Sequence, residues 1–85
     1  MKRKHQKTLE AIFTHPISGN IKWADVVAML KAFGAEVDES REGSRVGIIL
    51  NGNVVLQHKP HPLPNMDKGA VASLRKFLID CGVKL

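Results

Sequence analysis

The sequence predicts an α+β fold: a two-layer sandwich of α-β-β-β-α order with a three-stranded antiparallel sheet and an additional short helix in front. Apolar residues follow a helical period before Gly34 and after Asp67, and a period of two in the segment between them. An Asn51-Gly52 pair divides the alternating segment, as in a tight hairpin. This order places both long helices on one face of the sheet and leaves the other face available for a ligand or partner.

The length of 85 residues allows one domain with one modest core. Within it we expect residues 1–20 to form a basic N-terminal extension with a short helix, and residues 21–85 to form the main domain. Apolar stretches such as Val46–Leu50 are far shorter than the roughly 20 residues that span a bilayer, and no secretory apolar region follows the basic start. We therefore expect a cytoplasmic protein with no membrane association.

The short first helix is predicted from three apolar residues at i, i+3 and i+4 spacing, beginning at Leu9. It should cover residues 5–14 and end before Pro16, because the residue preceding a proline disfavours the helical conformation. We expect its basic start, which includes His5, to fray and to be mobile.

The two long helices have recognisable ends. Asn20 is suited to cap the start of the second helix, and Gly34 to follow its end. Trp23 falls on the apolar face of that helix, which favours core packing over stacking on a nucleic-acid base. Asp67 and Gly82 play the corresponding roles for the last helix. The apolar stripe of the last helix comprises Val71, Leu74, Phe77, Leu78 and Cys81.

The alternating segment divides into three strands. Ala35–Asp38 is short, Arg45–Leu50 alternates between two faces, and Asn53–Gln57 follows the Asn51-Gly52 pair. A type I′ turn requires positive φ at both central residues, which Asn and Gly tolerate, so the last two strands should form an antiparallel hairpin.

Positive charge is concentrated at the two ends of the chain. The formal net charge is +5, and Lys2, Arg3, Lys4 and Lys7 supply four positive charges at the start. The C-terminal half has six basic residues against Asp67 and Asp80. These six are Arg45, Lys59, Lys68, Arg75, Lys76 and Lys84. A polyanion partner follows from this asymmetry, and RNA or DNA fits better than a membrane. A solvated basic surface without a ligand is the alternative.

The most unusual local feature is Gln57-His58-Lys59-Pro60-His61-Pro62, with two imidazoles and an ammonium group in a constrained loop. Histidine exchanges a proton near neutral pH, as a metal-free ribonuclease requires, and the ammonium would stabilise charge on a phosphate. Two surface histidines in a proline-rich turn would give the same pattern. His58 and His61 lack the cysteine pair or nearby carboxylate of a zinc site, and the glycines follow no phosphate-binding fingerprint. We expect no metal and no cofactor.

Three segments carry a family resemblance. They are Leu30-Lys31-Ala32-Phe33-Gly34-Ala35-Glu36-Val37, then Gly43-Ser44-Arg45, and then Pro60-His61-Pro62 with Asp67-Lys68-Gly69-Ala70-Val71 and Ser73-Leu74. In this order and spacing they resemble the HicA family of toxin–antitoxin ribonucleases over about residues 21–83. The resemblance implies a fold similar to a double-stranded-RNA-binding domain. It also implies metal-independent cleavage of mRNA and a HicB-like antitoxin as partner.

One position departs from the family pattern. The histidine that serves as general base or acid in typical members aligns with Arg45, and a guanidinium does not accept a proton at physiological pH. We expect Arg45 to hold the scissile phosphate while His61, or in second place His58, transfers the proton. The expected RNA-binding residues are Ser44, Lys59, Lys68, Arg75 and Lys76. The alternatives are a catalytically impaired module that binds RNA or antitoxin, and a domain whose sheet face docks another protein.

Overall fold

The computed structural model describes residues 2–39, 43, 45–60 and 64–85. It contains three helices and one three-stranded sheet, in the order α-α-β-β-β-α, which confirms the predicted fold class. The elements are α1 (Arg3–Phe13), α2 (Trp23–Ala32), β1 (Glu36–Asp38), β2 (Arg45–Leu50), β3 (Asn53–His58) and α3 (Lys68–Asp80).

The sheet has the strand order β1-β2-β3, and both neighbouring pairs are antiparallel. A two-residue turn joins β2 to β3, with φ of 51° at Asn51 and 81° at Gly52. These positive values confirm the predicted hairpin turn. Its register pairs Leu50 with Asn53 next to the turn and Arg45 with His58 at the far end. The third strand therefore extends one residue beyond the predicted range, to include His58.

The sheet buries one face and exposes the other. Val46, Ile48 and Leu50 of β2 point into the core and are at most 5% exposed. We call the opposite surface the open face. It comprises Glu36, Asp38, Arg45, Gly47, Ile49, Val54, Leu56 and His58, as the strand register and the alternation of side chains require. Ile49, Val54 and Leu56 are 40%, 63% and 55% exposed, so the middle of the open face is apolar and accessible.

The first helix belongs to the same core as the rest of the chain. Leu9 and Ile12 of α1 are 2% and 0% exposed, and α1 packs against both α2 and α3. His5 is 7% exposed in the same helix. The expectation of a mobile helix start containing His5 is therefore wrong. The helix begins at Arg3, because its buried face continues from Ile12 through Leu9 back to His5.

The start of α2 also differs from the prediction. Residues 21–23 run antiparallel to residues 64–66, with hydrogen bonds from Trp23 N to Pro64 O (3.0 Å) and from Met66 N to Ile21 O (2.8 Å). Because residues 21–23 take part in this pairing, α2 begins only at Trp23. The N-cap position is therefore Lys22 rather than Asn20, and no side chain accepts a hydrogen bond from the first turn.

The end of α2 and both ends of α3 are those that the sequence predicts. Asp67 caps α3 by accepting a hydrogen bond from Ala70 N at 2.7 Å. Gly34 and Gly82 follow α2 and α3 with φ of 89° and 84°. Ala35 N donates to Leu30 O within the turn that ends α2, so β1 begins one residue later than predicted, at Glu36.

Arg75 of α3 fastens the C-terminal end of α1. Its Nε donates to Ile12 O at 2.8 Å, its Nη2 donates to Thr14 O at 3.0 Å, and its Nη1 lies 3.1 Å from His15 Nε2. The last carbonyl groups of a helix lack partners within the helix, and a guanidinium at this end also interacts favourably with the helix dipole. Arg75 is consequently half-buried.

Replacing Gly52 with alanine should destabilise the fold by about 1–2 kcal/mol, because a side chain disfavours the left-handed conformation of this turn residue. Gly19→Ala is the matched control, since Gly19 has no positive φ and a Cβ there would meet no atom within 4 Å. We expect the control to unfold at about the wild-type urea concentration. Equal unfolding midpoints for the two variants would contradict the turn assignment.

Replacing Arg75 with methionine should cost about 1–3 kcal/mol of unfolding free energy, because it leaves the buried Ile12 carbonyl group without its partner. Lys76→Met, at the exposed neighbouring position, should change stability by less than about 0.5 kcal/mol. Thermal or urea unfolding of both variants measures the difference. Similar stabilities would show that Arg75 does not fasten α1.

Candidate functional site

Arg45 and His58 lie side by side on the open face. Arg45 is the first residue of β2, His58 is the last residue of β3, and the two are cross-strand partners. Residues directly opposite each other in an antiparallel pair have Cβ atoms about 4.5–5.5 Å apart and point to the same face. Both side chains are exposed. The structure therefore brings a permanent cation and an imidazole together at one corner of the sheet, in contact with solvent.

A groove of about 240 Å³ adjoins this corner, between β3 and the start of α3. His58 lines it together with Leu56, Gln57, Asp67, Ala70 and Ser73. Gln57 is buried and its Nε2 donates to Ser73 Oγ at 3.3 Å, which holds β3 against α3. The carboxylate of Asp67 is occupied by the Ala70 N–H group. The groove thus gives His58 both polar and apolar neighbours without enclosing it.

The charge around the Arg45–His58 corner is asymmetric. Lys59 directly follows β3 and Lys68 begins α3, and both side chains are exposed. At the opposite edge of the sheet, Glu36 and Asp38 of β1 also lie on the open face. A bound phosphate chain would be attracted toward the β3–α3 side and repelled from the β1 side. The corner accordingly has one favourable direction along which an anionic strand can leave.

Of the other residues expected to bind RNA or to act in catalysis, some lie on α3 and some lie outside the described residues. Lys76 is exposed on α3, whereas the Arg75 guanidinium is occupied at the end of α1. An RNA contact by Arg75 stays a prediction, beside the structural role that its hydrogen bonds give it. Ser44 and His61 lie outside the described residues, so the structure gives no geometry for either.

The sequence analysis missed the polar contacts behind His58. Gln57 occupies an inward position of β3, where Val55 also points toward the helices, and a polar residue at such a position requires a partner. The alternation along β3 was the available signal for this contact. The identity of the partner, Ser73, depended on how α3 packs and carried no local signal.

Cys81 is unsuited to nucleophilic chemistry. Its side chain is 7% exposed, and its Sγ donates to Leu50 O at 3.3 Å. Burial raises the pKa of the Cys81 thiol above its ordinary value of 9.0, which disfavours the reactive thiolate. The prediction that Cys81 is a core residue is confirmed, as is the same prediction for Trp23, which is 5% exposed.

Membrane-spanning helices and groups of metal ligands are both absent from the described part of the chain. None of its helices combines the length and the apolar character needed to cross a bilayer. Residues 2–39, 43, 45–60 and 64–85 contain no group of three or more histidine, cysteine, aspartate or glutamate residues placed to hold a metal ion.

Comparison with known proteins identifies the family. A family model described as the HicA toxin of bacterial toxin–antitoxin systems matches residues 23–83, from the first residue of α2 to just beyond α3. No curated protein and no solved structure matches the chain significantly. All of α1 and the segment that follows it precede the matched region. Because the match covers well over half of the residues, the chain belongs to the HicA family of bacterial toxin–antitoxin toxins.

Proposed function

We propose that this toxin is a metal-independent endoribonuclease that cleaves mRNA at the Arg45–His58 corner of the open face. The observation that carries the proposal is the cross-strand pairing of these two exposed residues. Phosphodiester cleavage without a metal needs a cation beside the phosphate and a group that exchanges a proton near neutral pH. An arginine and a histidine supply these two functions.

Arg45 binds the scissile phosphate in this proposal. A guanidinium donates two parallel hydrogen bonds to phosphate oxygens and keeps its charge at every physiological pH. Its position at the start of β2 places it directly across the sheet from His58. The negative charge that develops on the non-bridging oxygens during attack is therefore stabilised by a cation already in place.

The proton transfers fall to the histidines near the proline-rich loop. A base removes the proton from the ribose 2′-hydroxyl as its oxygen bonds to phosphorus, and the bond from phosphorus to the 5′-oxygen breaks. The departing 5′-oxygen takes up a proton, and the products are a 2′,3′-cyclic phosphate and a 5′-hydroxyl. We assign the base role to His61 first and to His58 second, and in this proposal the other histidine protonates the leaving oxygen.

A second candidate function is a HicA-type module that binds RNA or its antitoxin without cleaving RNA. Arg45 favours it, because the family's general base or acid is a histidine at this position and a guanidinium cannot replace that function. The apolar centre of the open face, formed by Ile49, Val54 and Leu56, supports a protein contact in either case. A HicB-like antitoxin bound there would cover Arg45 and His58 at the same time.

Cleavage of RNA by the purified chain in excess chelator tests the proposal. We expect cleavage by the wild type, and a loss of about 10²–10⁴-fold in rate for the histidine variant that removes the acting base. The variants are His58→Gln and His61→Gln, and His15→Gln is the matched control because His15 is exposed beside α1 and Arg75. Unchanged rates for both loop variants would exclude these histidines from the mechanism. RNA binding without cleavage would favour the second candidate.

Arg45→His separates the two candidate functions further, because it restores the residue typical of the family. If Arg45 holds the phosphate for a histidine elsewhere, cleavage should fall by about 10²–10³-fold when this donor is lost. If Arg45 has disabled the enzyme, the same variant should gain cleavage activity. We expect the fall, measured as the single-turnover rate at saturating RNA, with Lys84→Gln as an exposed control.

A further inference from the structure

A second basic surface lies on the helical layer of the molecule. A cavity of about 430 Å³ opens between α1 and the start of α2, and three of its lining residues are lysines. Lys4 and Lys7 come from α1, and Lys22 is the residue that precedes α2. We call this cavity the lysine groove. It lies almost wholly before the residues that the family model matches, so the family assignment gives it no role.

The lining of the lysine groove is suited to an anion. All three lysine side chains are exposed at its rim, and Asp25 is the acidic residue that lines it. Ser18 and Asn20 add a hydroxyl and an amide. Ser18 Oγ accepts a hydrogen bond from Asn20 N at 3.1 Å, so the hydroxyl hydrogen can still be donated to a ligand. The groove combines net positive charge with neutral donors, as phosphate sites do.

The start of α2 strengthens this preference. No side chain caps its N-terminus at Lys22, whereas the Asp67 carboxylate caps α3. A helix N-terminus carries a partial positive charge that favours an anion nearby, although here Pro64 O already accepts from Trp23 N and Asp25 lies in the first turn. Because the packing of α1 on α2 holds Lys4 and Lys7 next to Lys22, the charges from two helices act on the same volume.

The lysine groove is linked to the loop of the candidate site. Lys22 pairs with Asn65 in a short antiparallel bridge, closed by the hydrogen bonds that join residues 21–23 to residues 64–66. Residues 64–66 lie between the proline-rich loop and Lys68 at the start of α3. This bridge brings the rim of the groove beside the segment that carries the favourable charge of the Arg45–His58 corner.

We propose that the lysine groove binds the phosphodiester backbone of RNA, on a part of the strand beyond the nucleotides held at Arg45 and His58. This inference rests on the proposed function, since the RNA is the same substrate. Lysine contacts to phosphates are independent of base sequence, so the groove adds affinity and positions the strand without selecting the cleavage point. It extends the RNA-binding surface into the segment that precedes the family match.

The test compares two double variants that remove the same charge. Lys4→Gln with Lys7→Gln alters the groove, and Lys31→Gln with Lys84→Gln alters exposed lysines that do not line it. The probe is a fluorescein-labelled RNA whose 2′-hydroxyls are methylated, so that it cannot be cleaved by 2′-hydroxyl attack. Fluorescence anisotropy across a salt series should give a slope of log affinity against log salt reduced by about two in the groove variant. The control variant should keep the wild-type slope.

The outcomes separate this inference from the ribonuclease proposal. A reduced slope for the groove variant alone supports the groove, even if the wild-type chain leaves unmodified RNA intact, and only the ribonuclease proposal then fails. Equal slopes for the two double variants overturn the groove, whatever the cleavage assay shows. Binding of polyglutamate but not of the RNA probe also overturns it, because the groove would then be an acidic-peptide site. Thermal unfolding of both variants verifies that they are folded.

Discussion

The two-residue turn at Asn51 and Gly52 is the constraint on which the candidate site depends. It sets the register of β2 against β3, and the register alone decides which side chains stand opposite one another. A shift of one residue would move every β3 side chain to the opposite face. His58 would then point toward the helices, and buried Gln57 would reach the open face. The pairing of Arg45 with His58 is consequently determined by backbone geometry at the other end of the hairpin.

The hairpin is also fastened to α3 at both of its ends. Beside the turn, Asn51 Nδ2 donates to Cys81 O at 2.8 Å and Cys81 Sγ donates to Leu50 O. At the far end, Gln57 contacts Ser73 in the middle of the same helix. These contacts define both the axial position of α3 and its closeness to β3. The groove beside His58 follows from this placement, because its walls are the two elements that the contacts hold together.

Local signals in the sequence predicted most of the fold. They did not predict the contacts between segments that are distant along the chain. Gly34, Asp67 and the hairpin turn act through their own backbone conformation, which is why they could be read from residue type. Asn20 failed as a cap because residues 21–23 pair with a segment more than forty positions away. The Arg75 contacts to Ile12 and Thr14 likewise join the two ends of the chain. The pairing of Arg45 with His58 joins two strands, but it could still be predicted from local signals. The turn at Asn51 and Gly52 sets the register, and the alternation of side chains then places both residues on the same face.

The resemblance to the HicA family places Arg45 where typical members have a histidine, and this would change how the proposed chemistry is divided between strands. In typical relatives the titratable group would stand at the start of β2, where this chain has a group that holds its charge permanently. Proton exchange must then come from a neighbour, and the register offers His58 directly across the sheet. A fixed cation on β2 with an imidazole on β3 retains both requirements of metal-free phosphodiester cleavage. In the proposed complex, the carboxylate of Glu36 would disfavour a phosphate chain on the β1 side of the open face. The exposed side chains of Lys59 and Lys68 would favour it on the β3 side, where the imidazole lies.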